Sequence, residues 1–85
     1  EFVMRIVDYD KETKLAKIEQ RNYFKIGDQI EVFSPHHDNL CFTVKKLYNE
    51  DMEEIDVANH TMEILYVEIP YQVLSNDMGR KVRNV

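Results

Sequence analysis

Apolar and polar residues trade places one by one in three stretches of this chain. Between Leu15 and Arg21, Ala16, Ile18 and Gln20 alternate with Lys17, Glu19 and Arg21. From Gln29 to Phe33, Ile30 and Val32 alternate with Gln29 and Glu31; from Leu40 to Lys45, Leu40, Phe42 and Val44 alternate with Cys41, Thr43 and Lys45. Successive side chains of a strand point to opposite faces, so each stretch predicts a strand with one face in a core and the other in water. Gln20 shares the parity of Ala16 and Ile18, so it is expected to point inward and to need a hydrogen-bond partner there. Phe2 to Tyr9 is rich in β-branched and aromatic residues, and the polar run Asp10 to Lys14 predicts a hairpin loop into Leu15. Gly27-Asp28 predicts a turn into the strand at Gln29, Ser34 to Asn39 a loop around Pro35, and Asn49 to Glu54 another exposed hairpin. Met62, Leu65, Tyr66 and Ile69 stand at helical spacing, but Ile64, Val67 and Ile69 are β-branched and Pro70 closes the run early. That segment is predicted as a strand buried on both faces.

Short strands at close spacing predict an all-β fold, a small closed antiparallel barrel of about six or seven strands at ordinary strand and loop lengths. Closure removes the edges that invite aggregation. The chain opens Glu1-Phe2 rather than on methionine, which matches the translated remnant of a cloning site. Residues 1–2 are therefore expected to be a remnant, and 3–85 a single domain cut from the C-terminal end of a larger protein.

Composition narrows the functional classes. The single cysteine, Cys41, cannot make an internal disulfide, so the fold must stand on packing, which fits the cytoplasm. No apolar run approaches the roughly 18 residues of a membrane span and no signal peptide is visible, so no membrane partner is expected. A net charge of −5 argues against a broad cationic field for nucleic acid. Its distribution is uneven: acids crowd Glu50 to Asp56, and Arg80, Lys81 and Arg83 crowd the end. A local basic site survives that average.

The candidate chemistry is sparse. Cys41 with His36, His37 or His60 suggests a thiol and base, but a small thiol on an alternating strand is ordinary. His36, His37 and Asp38 suggest a metal, but adjacent side chains diverge on an extended backbone. Asp8, Asp10 and Glu12 lack the glycine and spacing of a calcium loop. With no nucleophile–base pair, phosphate loop or metal quartet, the isolated domain is expected to be no enzyme and to need no cofactor. An RNA-contacting surface is the alternative, using Lys45, Lys46, Arg80, Lys81 and Arg83 with Arg21 and Lys25, and with Tyr23 and Tyr48 free to stack on bases.

The run from Tyr9 to Phe24, with its Glu19-Gln20-Arg21-Asn22-Tyr23-Phe24 string, is followed by Ile26-Gly27-Asp28-Gln29-Ile30-Glu31-Val32 and later by Ile55-Asp56-Val57-Ala58-Asn59-His60. These segments resemble the C-terminal domain of the collagenase-like peptidase family U32. The family pattern carries Gly-Asp before its last strand, where this chain has Asp77-Met78-Gly79. The resemblance implies a barrel similar to the second domain of translation elongation factors, placed after a catalytic TIM-barrel-like domain in a hydrolase of the peptidase class. It also implies an accessory domain that docks on its own N-terminal catalytic domain and helps recognise a protein substrate. The Glu19 to Asn22 string is expected to fix a corner of the barrel and the His60 ring to tie a loop to backbone carbonyls; the alternative is that Glu19, Arg21, Asn22 and His60 form a docking or substrate surface. Some members act instead in hydroxylating transfer or ribosomal RNA, so structured RNA is the alternative partner.

Overall fold

A computed structural model describes residues 1–82. The strands are β1 (Phe2–Asp10), β2 (Leu15–Gln20), β3 (Phe24–Lys25), β4 (Gln29–Ser34), β5 (His37–Thr43), β6 (Leu47–Tyr48), β7 (Val57–Ala58), β8 (Ile64–Glu68) and β9 (Met78–Lys81). Seven form an antiparallel sheet in the order β5-β4-β9-β1-β2-β8-β6, and β3 pairs with β7 in a small second sheet.

The expected all-β class holds, but the closed barrel does not. The sheet ends at β5 on one side and β6 on the other, and these strands do not pair. The link between them takes the hydrogen bonds that a closing ladder needs. Val44 donates to the Asp28 carbonyl at 2.9 Å and accepts from Gly27 N–H at 2.8 Å, while the Lys46 carbonyl accepts from Glu68 N–H at 3.1 Å. A strap therefore runs from the β3–β4 turn to β8 where a barrel has a strand pair. The sheet still curls enough for Ile30 and Phe42 near one edge to share a single core with Leu47, Leu65 and Val67 near the other.

The predicted alternation is realised. Ala16 and Ile18 of β2, Ile30 and Val32 of β4, and Phe42 of β5 are buried, while their neighbours in sequence are half-buried or exposed. Strand β8 is a strand as expected, but only Leu65 and Val67 are fully buried; Ile64 and Tyr66 are half-buried on the outer face. In β1 a register shift between Phe2 and Met4 puts consecutive Val3 and Met4 into the core.

The hairpins follow their turn chemistry. Asp10 Oδ1 accepts the Glu12 amide at 2.9 Å, and Lys14, at φ 61°, donates to the Asp10 carbonyl. Gly27 supplies the φ of 94° that a side chain would resist, and Asp28 N–H closes that turn on Lys25. The Ser34 to Asn39 loop is shorter than predicted: His37 already pairs with Ser34, so His37, Asp38 and Asn39 belong to β5. Gly79 sits where β9 crosses the core. A Cβ there lies 2.8 Å from Met4 Cγ and 2.9 Å from Ile30 Cγ2, so neither side chain could keep its place.

Candidate functional site

The Glu19 to Asn22 string ends β2 and is tied into the fold. Glu19 Oε1 accepts from Arg5 Nε at 3.3 Å and Arg21 Nε at 3.0 Å. Gln20 is fully buried, as its parity predicts. Its Nε2 donates to the carbonyls of Ala58 at 2.7 Å and Asn22 at 3.2 Å, and its Oε1 accepts the His60 amide at 3.3 Å. Its backbone also pairs with Met62 and Glu63. The residue thus closes the loop beyond β7 onto the end of β2. Asn22 accepts the Tyr23 amide on its side chain at 2.9 Å and donates to Glu1 at 2.7 Å. His60 is reached through its amide, and the residue is exposed.

The predicted cations fall in separate places. Lys45 and Lys46 are exposed on the strap and line a depression with Glu54 and Asp56. Arg80 and Lys81 stand on β9, and Arg83 lies outside the described residues. Arg21 is engaged with Glu19, and Lys25 lies 3.5 Å from Asp28.

The end of β9 carries the most distinctive surface. Arg80 faces the outer side of the sheet opposite Glu31 and Phe2, its cross-strand partners. Its guanidinium lies 4.7 Å from the Phe33 ring centroid and 3.4 Å from Glu31, with half of its side chain still exposed. Phe2 packs edge-on against Phe33, centroids 6.0 Å apart. Lys81 follows Ile30 in pairing and so leaves from the other side of the sheet. Its ammonium reaches the Tyr23 ring, 5.2 Å from the centroid, and Asp28 at 3.3 Å. Burial alone pushes the Asp28 carboxyl up, but the Lys25 amide and the Lys81 and Lys25 cations outweigh it and hold it below its ordinary value. Tyr23 is 45% exposed. Two cation-on-ring pairs therefore straddle the end of one strand, beside shallow depressions of about 350 and 220 Å³. The pattern signal for this was weak: Tyr23, Phe33 and Arg80 are far apart in sequence.

A second constellation had no signal in the sequence at all. Asp77 is 1% exposed and its Oδ2 accepts from the Leu74 amide and from His37 Nε2, both at 2.9 Å. His37 Nδ1 faces the Asp38 carbonyl at 2.7 Å. Both ring nitrogens face acceptors, so both must donate, and the geometry calls for the imidazolium. The Asp38 carbonyl and the Asp77 carboxylate raise the His37 pKa against the opposing effect of burial. Burial pushes Asp77 up, but hydrogen bonds from Ser34, Leu74 and His37 outweigh it and bring the carboxyl below its ordinary value. The turn bearing Asp77 is anchored on β1, since Ile6 N–H donates to the Asp77 carbonyl and Ser75 Oγ to that of Val7. This pair latches the β4–β5 hairpin to the turn before β9.

The remaining candidates have structural settings. Asp8 Oδ1 accepts its neighbour Tyr9's amide, and Asp10 organises the hairpin beside it. Cys41 is an exposed free thiol on β5. Among the described residues no three His, Cys, Asp or Glu side chains group as a metal site. Among the described residues no helix is long and apolar enough to cross a membrane.

The model of the peptidase family U32 C-terminal domain matches residues 1–80. The tRNA hydroxylation protein P1 of Bacillus subtilis is 33% identical over 81 residues, which are 95% of this chain and 19% of that protein. The tRNA hydroxylation protein P of Haemophilus influenzae is 25% identical over 76 residues, 89% of this chain and 16% of that protein. This chain thus spans less than a fifth of either relative's length. The crystal structure of the C-terminal domain of a Geobacillus thermoleovorans protein, described as a U32 peptidase, superposes with a TM-score of 0.94 at 34% identity. That match covers 98% of this chain and 93% of the solved one.

Proposed function

This chain belongs to the peptidase family U32 C-terminal domain family, and from that premise we propose that it is a non-catalytic accessory domain that helps present a transfer RNA to the rest of its parent protein. The observation that carries this reading is the end of β9, where Arg80 lies on the half-buried Phe33 ring and Lys81 on the exposed ring of Tyr23. Cations held on rings suit nucleic acid, because phosphate takes the charge and bases take the planar surface. The names of both curated relatives support a tRNA substrate. The domain docks on its N-terminal partner through the outer face around β2, where Glu19 and Arg21 lie at the surface end of the strand.

The reading is tested by titrating this chain into fluorescently labelled tRNA at low salt. Saturable binding is expected, abolished by the double reversal Arg80→Glu, Lys81→Glu and weakened by added salt. No anisotropy change at low salt overturns the RNA assignment. A second reading keeps the accessory role but gives it a polypeptide substrate; the peptidase description of the solved relative favours it. Crosslinking of a denatured protein to this face, with tRNA silent, is the outcome that selects it.

A further inference from the structure

We infer that the end of β9 grips unpaired nucleotides of the RNA, with Tyr23 and Arg80 as stacking platforms on opposite sides of the strand, rather than a duplex. The inference rests on the RNA reading above and specifies what part of the RNA the site takes.

Three observations carry it. The first is charge. The whole chain is at −5, and Arg80 and Lys81 each already have a carboxylate within 3.4 Å, Glu31 and Asp28 respectively. A duplex is held by a broad cationic track across its phosphates, and among the described residues this surface lacks one. Two partly screened cations can still engage one or two phosphates. The second is exposed planar surface. The Arg80 guanidinium lies on Phe33 with half its side chain open, which leaves its outer plane free for a base. Tyr23 carries Lys81 over its ring and is 45% exposed. Every base has a π face, but only an unstacked base can offer it.

The third is placement. Arg80 and Lys81 are consecutive in a strand, so their side chains leave on opposite sides. Arg80 takes its platform to the outer face beside Phe33; Lys81 goes around the strand end to Tyr23. A rigid A-form helix holds its bases inside and cannot lay two of them on opposite sides of a β-strand. A flexible single strand can cross the strand end, with a base on each platform and the phosphate between them near the two cations.

The experiment compares four RNAs of matched length against this chain: an intact tRNA, a hairpin with an open loop, an unstructured single strand and a blunt duplex. The expected result is binding of the first three and at least roughly tenfold weaker binding of the duplex. Tyr23→Ala should weaken hairpin binding roughly tenfold and Tyr23→Trp should restore it, because stacking and not the hydroxyl is the contact. The slope of log K against log salt should be about −1.4, the value for two phosphates on a single strand. Equal affinity for the duplex, or a Tyr23→Ala variant that is folded by circular dichroism yet binds as before, overturns this inference and leaves the RNA reading standing. Silence of all four RNAs, the tRNA included, overturns both.

Discussion

The end of β2 and the end of β9 are both rich in polar residues, yet they use them in opposite ways. At the end of β2 the groups are turned on one another: Gln20 is fully buried with its amide on the Ala58 and Asn22 carbonyls and the His60 amide, and Glu19 is shared by two arginines. At the end of β9 the cations rest on rings and carboxylates but keep a third to a half of their side-chain surface open. An unsatisfied buried amide costs more than an exposed ion pair contributes, so Gln20 is set by stability, whereas the β9 cations are free to bind. A polar string is therefore a poor guide to function until the direction of each side chain is known.

Four substitutions separate the two regions. The largest loss of stability is expected for Gln20→Leu, about 3 kcal/mol in urea unfolding, because two carbonyls and an amide lose their partner inside the protein. The fraction that remains folded should bind tRNA as the parent chain does; a loss of affinity without unfolding erases the contrast. Gly79→Ala should cost about 2 kcal/mol, since its Cβ meets Met4 and Ile30. It lies beside Arg80 and Lys81, so it alone among the stability variants is expected to weaken RNA binding as well, read by anisotropy.

His37→Gln should cost about 1 kcal/mol near pH 6. The His37 pKa is raised in the folded state, so its contribution is complete below its unfolded value and fades as pH rises through the folded one. Melting curves of the parent and the variant should therefore converge on the alkaline side. Asp77 behaves conversely: its pKa is lowered, and its contribution is lost as pH falls below the ordinary carboxylate value through the folded one. A gap that stays constant with pH shows that His37 acts by packing alone. The smallest change in stability is expected for Arg80→Ala, within about 0.5 kcal/mol, while tRNA affinity falls at least several-fold. A binding curve that does not move places the RNA surface elsewhere, with Lys45 and Lys46 the next cations to test.

Much of the fold was legible in the order of residues. Lys17, Glu19 and Arg21 against Ala16, Ile18 and Gln20 announce both a strand and its inner face, because the backbone pleat turns every second side chain the same way. Asp10 and Gly27 announce their turns through local chemistry that needs no distant partner. The candidate site was only partly legible: Arg80, Lys81 and Tyr23 stood among the nucleic-acid candidates, but Phe33 did not. The latch between His37 and Asp77 was invisible, since nothing local to either residue marks a partner 40 positions away.

Alternation and turn chemistry are interactions between near neighbours, so the linear order of this chain suffices to specify antiparallel strands, their buried faces and most of the hairpins. Which strands become edges, which charge meets which ring and whether the sheet closes are decided by contacts between distant segments. Strand β9 inserts between β4 and β1, and the Val44 to Lys46 strap takes up the hydrogen bonds between the two edges. Those choices depend on how whole elements compete for one small core, a quantity no window of neighbouring residues contains.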